Sequence, residues 1–258
     1  MTDRPTFPGL HVFHDIRNEK YLLADYREDP IQARPRAVAF SQPVEPVPRS
    51  VKHRQYRRYD QGAEPRCTED GMRTLLAAAH IFSHADHVPR GEWYRMNQAF
   101  DRAAGRRYPE GATATAALEV ARRPRADGGL ELISAYRWTY TVDGMIRAIP
   151  RAPLMAATLW YPDMMERDRE GIVKTPPTWR RTNDGHLYTL GAYRTTRRPA
   201  YDPARDLWDV QQTWKPTAAE ARTMPYSGWV WRIPGDLMHR LLREDGEVAQ
   251  VEEIRRDA

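Results

Sequence analysis

The chain has almost no cysteine: Cys67 is the single one among 258 residues. One thiol cannot close an internal disulfide, so the expected compartment of synthesis is reducing and the fold must be held by its core. No apolar run is long enough to span a bilayer, and Met1-Thr2-Asp3-Arg4-Pro5 lacks the basic-then-apolar order of a signal peptide. A soluble cytoplasmic protein with no membrane partner is the expectation. Zinc-finger, helix-turn-helix and RNA-recognition signatures are also missing. The excess of cations, a net charge of +5, is almost all arginine and is spread along the chain, which reads as solvated surface. Nucleic acid is therefore not an expected partner. No internal repeat is apparent.

What the chain does have is enough length to bury a full core, with 41% hydrophobic and 29% charged residues. Residues 1 to 46 are rich in proline and charge and read as an extended N-terminal arm or short pro-segment. The apolar positions Met72, Leu75, Leu76, Ala79 and Phe82 predict a helix over Thr68 to Phe82. Further helices are predicted over Gly91 to Ala103, Thr113 to Arg122 and Val142 to Ala148. Aromatic and β-branched runs at Trp138 to Val142 and Leu154 to Trp160 predict strands. The span from Tyr193 to Trp208 reads as an exposed hairpin extension, and residues 249 to 258 as a polar tail, helical or disordered.

Cys67 would lie at the N-terminus of the first helix, where unpaired N–H groups and the macrodipole favour a thiolate. Glu69 and Asp70 in the same turn oppose that. A thiol nucleophile also needs a base, and Gly185-His186 at the start of a strand-like run offers one. Gln61, six residues before Cys67, is a candidate amide donor for an oxyanion.

Gln-Gly, a six-residue step to cysteine, a helix and a later Gly-His opening a strand resemble the papain-like cysteine peptidases. The resemblance covers about residues 46 to 248. Pro48-Arg49-Ser50-Val51, Tyr108 to Thr113, Ser134 to Trp138, Ala157 to Tyr161 and Arg240 to Glu247 are similar to segments of its bacterial and phage branch. It implies an α+β, two-lobe fold: a helical lobe over about residues 60 to 130 packed on an antiparallel β-rich lobe over about 131 to 240. The domain would span residues 47 to 248. It implies Cys67 as nucleophile, His186 as base and Gln61 in the oxyanion hole. Gln212 stands where the family carries an asparagine, with Trp214 shielding the pair, and Gly185 and Trp160 in the cleft. The substrate would be a peptide or protein, with no cofactor and no metal.

The sequence departs from the family at Pro65-Arg66-Cys67-Thr68, at Gln212-Thr213-Trp214-Lys215 and at Gly191-Ala192-Tyr193. Pro65 and Arg66 would narrow or charge one side of the cleft. These departures leave two further readings. One is a weak or inactive scaffold, such as a phage virion component whose arm docks on structural-protein neighbours. The other is a thiol hydrolase of cell-wall peptides. His80, His84 and His87 with Asp86 share a helical face if the first helix continues that far, but no carboxylate or thiol completes a recognised ligand set.

Overall fold

The computed structural model describes residues 12–13, 50–78, 85–106, 110–177, 184–194, 202, 204–244 and 246–253. In chain order the strands and α-helices are β1 (Val12–Phe13), β2 (Ser50–Lys52), α1 (Cys67–Leu76), α2 (Glu92–Ala103), β3 (Ala112–Thr113) and α3 (Ala114–Arg122). There follow β4 (Ile133–Thr139), α4 (Val142–Ala148), β5 (Leu154–Leu159), β6 (Gly185–Arg194), β7 (Leu207–Gln211), α5 (Ala218–Thr223), β8 (Val230–Pro234), α6 (Gly235–Arg243) and β9 (Glu247–Glu253).

Seven strands form one sheet, in the order β4-β9-β5-β6-β7-β8 with β2 also on β6, and every pairing within it is antiparallel. β1 and β3 make a separate parallel pair, Val12 opposite Ala112 and Phe13 opposite Thr113. The buried apolar residues fall into two clusters. One joins α1, α2 and α3 to Leu187, Met155 and Val251 of the sheet. The other lies beneath α4 and α6 and includes Tyr188, Leu190, Trp208 and Val210. Alternation along each strand sends neighbouring side chains to opposite faces, so one sheet closes both cores. This is the expected helical lobe packed on a β-rich lobe.

The helix ends follow local chemistry. Thr113 accepts a hydrogen bond from the Ala116 amide at 3.0 Å and caps α3, while Thr141 accepts from Gly144 at 3.1 Å and caps α4. Thr217 and Glu220 form a reciprocal capping box at the start of α5. The first helix is shorter than its periodicity predicts and ends at Leu76, and Phe82 lies outside the described residues.

The tail expectation is overturned. Glu247–Glu253 is a strand inserted between β4 and β5, pairing with both. Val248 enters the second core while Ala249 and Val251 enter the first. Its charged flanks conceal the pattern, because a strand buried on both faces shows no polar alternation.

The metal reading gains nothing. His80 and His84 lie outside the described residues, and no group of three or more metal-binding side chains occurs among those described. Asp86 instead pairs with Arg57 and accepts from the Tyr59 hydroxyl at 2.8 Å, and the His87 ring is 3.1 Å from Arg125. Most of the expected hairpin extension, residues 195–201 and 203, also lies outside the described residues.

Candidate active site

Cys67 occupies the first position of α1. No side chain caps this helix, since Arg66 at the N-cap makes no capping bond. The first-turn N–H groups and the macrodipole therefore act on the thiol without a competing cap oxygen. Cys67 is fully buried, as are His186 and Gln212, each at 0% exposure.

α1 is seated directly on β6. The Thr189 hydroxyl donates to the Gly71 carbonyl at 3.1 Å. A Cβ built on Gly71 would stand 2.3 Å from Leu187 Cδ2 and 3.1 Å from the Leu187 carbonyl oxygen, so only glycine allows this approach. Gly71 is one helical turn after Cys67, and Leu187 directly follows His186. The close contact therefore ties the register of the cysteine's helix to that of the histidine's strand.

His186 is paired on one nitrogen only. Its Nε2 donates to Gln212 Oε1 at 2.7 Å, which fixes the neutral ring in the Nε2–H tautomer. Nδ1, buried and with no hydrogen-bond partner, then carries the lone pair. Trp214 stacks flat on the imidazole, with centroids 4.0 Å apart and planes 10° from parallel. Trp160 meets the imidazole edge-on at 5.2 Å and also packs against Trp214 at 5.8 Å. Burial drives the His186 pKa down to about 3, against a smaller opposing effect of the Gln212 bond, so the enclosed imidazole is neutral. Gly185 begins β6 opposite Leu159, with Thr158 opposite His186, which places both site residues at the N-terminal end of an interior strand, beside Trp160.

Gln61 is locked to the segment that bears Gln212. Its backbone N–H donates to the Thr213 carbonyl at 2.7 Å, its Oε1 accepts from the Thr213 hydroxyl, and its Nε2 donates to the Glu64 carbonyl at 3.0 Å. Thr213 thus joins the two glutamine-bearing segments, a role the sequence reading missed. The only signal for it was its place between Gln212 and Trp214. Tyr188 and Trp231 were missed as well, although both pack on Trp160, at 5.6 and 5.9 Å. Aromatics in a β-rich lobe read equally well as core.

The two acids of the first turn have different fates. Glu69 is withdrawn from the thiol. Its Oε1 accepts from Arg73 at 2.9 Å, and its carboxylate accepts from the Gly91 and Tyr94 amides at 3.0 Å, satisfying the start of α2. Asp70 is buried with no hydrogen bond to either oxygen, and Arg66 and Arg90 stand 3.9 Å away. Burial, reinforced by Glu69, raises its pKa to about 6 in spite of the nearby arginines.

β3 and its partner β1 flank the same region. The Tyr94 hydroxyl accepts from the Gly111 amide at 2.8 Å just before β3. Burial pushes that hydroxyl's pKa up, and negative charge at Cys67, Glu110 and Glu64 adds to the effect. β1, paired with β3, also approaches β6.

No family model matches the chain, and no curated protein matches it. Solved structures do. Xylellain, a cysteine protease from Xylella fastidiosa, superposes with a TM-score of 0.61 at 13% identity, covering 99% of this chain and 100% of that one. A structure concerned with the mite allergens Blo t 1 and Der p 1 gives 0.56 at 13% identity, over 82% and 73% of the two chains. Digestive procathepsin L 3 of Tenebrio molitor gives 0.51 at 14% identity, over 81% and 71%. The chain has the papain-like fold, two lobes built on a central helix and an antiparallel sheet.

Proposed function

We propose that this protein is a papain-type cysteine peptidase with Cys67, His186 and Gln212 as its catalytic residues. One observation carries the reading: Gln212 Oε1 accepts from His186 Nε2 at 2.7 Å, which leaves Nδ1 as the basic nitrogen. A glutamine in place of the family's asparagine thereby meets the geometric need of a ring-orienting amide. Trp214 excludes water from that hydrogen bond by stacking on the ring.

In the reaction, His186 Nδ1 takes the Cys67 proton and the thiolate attacks the peptide carbonyl carbon. The carbonyl π electrons move to oxygen, where N–H groups of the Cys67 backbone and the Gln61 amide receive them. Collapse of this intermediate breaks the C–N bond as the imidazolium gives its proton to the leaving amine. Water, deprotonated by His186, then attacks the thioester, and the thiol and acid product leave. Imidazole serves as base and acid by turns, and Gln212 holds it in one orientation throughout.

Full burial of Cys67 and His186 favours a second element of the reading. A substrate cannot reach an enclosed thiol, and a desolvated imidazole cannot readily take up its proton. We propose that the described state is closed and that Cys67 and His186 must become exposed before turnover. The alternative, a papain-like binding module without activity, draws on the same enclosure. Hydrolysis of a fluorogenic peptide beside Cys67→Ala decides between them. A rate in the wild type that vanishes in the variant is expected, and equal rates would remove the peptidase reading. Labelling of Cys67 by an electrophilic epoxide gives an independent measure.

A further inference from the structure

On β7, Asp209 and Gln211 alternate with Trp208 and Val210 of the second core, and so lie on the opposite face of the sheet. With Lys52, Arg54, Arg58 and Tyr226 they line a cavity of about 300 Å³. The mechanism above uses none of these side chains.

The cavity's charge is one-sided. Asp209 is its single lining carboxylate and is already committed, Oδ2 lying 2.8 Å from Arg194 and Oδ1 3.5 Å from Arg232. Among the described residues, Lys52, Arg54 and Arg58 have no carboxylate partner. Lys52 sits 4.6 Å over the Tyr226 ring, Arg54 lies 4.8 Å over Tyr56, and Arg58 donates to Gln211 Oε1 at 3.3 Å. Arg58 has that neutral amide as its side-chain partner, and partial desolvation lowers its pKa. Because the Gln211 carbonyl faces Arg58, its amide nitrogen is turned toward Gly191, where an added Cβ would stand only 3.3 Å away. The floor thus presents N–H donors. The rim turn is strained: Tyr226 and Ser227 have φ of 53° and 55°, the left-handed region that residues with a Cβ rarely adopt. The Tyr226 hydroxyl is held there by Arg194 at 2.5 Å.

We propose that this cavity is a binding site for a phosphate group, free or esterified. Three cations and an amide converge from β2, the segment after it, and β7, matching an oxyanion with more than one charge and several acceptor oxygens. The volume is at the lower end for small-ligand sites, roughly 300–1,000 Å³. Bound phosphate supplies the Arg58 guanidinium with the counter-charge its neutral partner lacks.

Titration calorimetry on the full chain at constant ionic strength tests this without reference to turnover, so it stands or fails apart from the peptidase reading. Inorganic phosphate is the first titrant, phenyl phosphate the second and acetate the third. Saturable phosphate binding is expected, weakened roughly tenfold or more in Arg58→Gln, the size expected for loss of one charge-assisted hydrogen bond. The same loss is expected in the independent pair Lys52→Gln/Arg54→Gln, whose side chains are exposed. Tighter binding of phenyl phosphate supports an esterified ligand, and equal or weaker binding supports the free ion. Absence of saturable binding, acetate binding as tightly as phosphate, or both variants binding like the wild type would overturn the proposal.

Discussion

Gln212 reaches the imidazole in spite of its extra methylene because its backbone is pinned on two sides. Its own N–H donates to the Trp229 carbonyl at 3.2 Å, and the next residue, Thr213, is bonded to Gln61 through backbone and side chain. Gln212→Ala is expected to lower kcat/KM by about 10- to 100-fold, as loss of the partner that orients a functional histidine does. The fall should appear in kcat rather than KM, and Gln212→Asn should restore part of it if the segment can close by the missing methylene. Steady-state kinetics with the fluorogenic peptide measures all three.

Asp70 gives a stability prediction with a definite sign. Its folded pKa of about 6 lies above the ordinary carboxylate value. The native state therefore holds a proton that the unfolded chain has released, and stability falls as pH rises through that window. At neutral pH the buried charge costs on the order of 2–3 kcal/mol, taking about 1.4 kcal/mol per unit. Asp70→Asn should thus be more stable than the wild type at pH 7 by about that amount, with the difference shrinking toward zero near pH 4. Urea unfolding at the two pH values reads it. His186 acts in the opposite sense. Its depressed pKa makes the folded state lose stability as pH falls below the ordinary histidine value. The wild-type profile between pH 4 and 6 is therefore flatter than either group alone would give.

At the scale of elements, the decisive joint is α1 against β6. Cys67 and His186 are far apart in sequence, and their relative placement rests on how closely a helix can lie on a strand. Gly71→Ala drives a methyl against both the side chain and the backbone of Leu187. Overpacking of this kind costs roughly 1–3 kcal/mol, and here the displacement acts directly on the spacing of the candidate catalytic pair. Gly71→Ala is expected to lower the urea midpoint by a corresponding amount and to reduce epoxide labelling even where the protein remains folded. Labelling unchanged in the folded variant would show that the joint does not set the pair's geometry.

Element boundaries show where local signals suffice. The helix over Val142–Ala148 matches its predicted range, and those beginning at Glu92 and Ala114 match to within a residue. In each, amphipathic spacing coincides with a cap or glycine that stops the pattern. β9 was lost because its register is set by β4 and β5 on either side. With Glu247, Glu252 and Glu253 at its ends, its local composition resembles a solvated tail.

At the scale of the whole molecule, the enclosed site and the place of β1 belong together. β1 runs parallel to β3 and approaches β6, the strand that His186 helps to begin. Removal of residues 1–46 is expected to raise both epoxide labelling and peptide turnover. If the open state holds only a few per cent of the population, the gain is roughly 10- to 100-fold. A truncated protein that is folded by circular dichroism yet labels no faster would assign the enclosure to the two lobes themselves.

The sequence by itself determined the chemistry on offer. One thiol, a Gly-His at a strand start, a glutamine six residues before the thiol and the helix that follows can all be read from residue type and spacing, because short-range sterics and periodicity act within a few residues. Only the tertiary structure decided which of these groups meet. The fate of Glu69 on the start of α2, the burial of Asp70 without a hydrogen bond and the Thr213 clamp on Gln61 all arise between segments remote in sequence. Burial and hydrogen-bond partners are properties of that three-dimensional contact, and they fix the tautomer of His186 and the charge of Asp70.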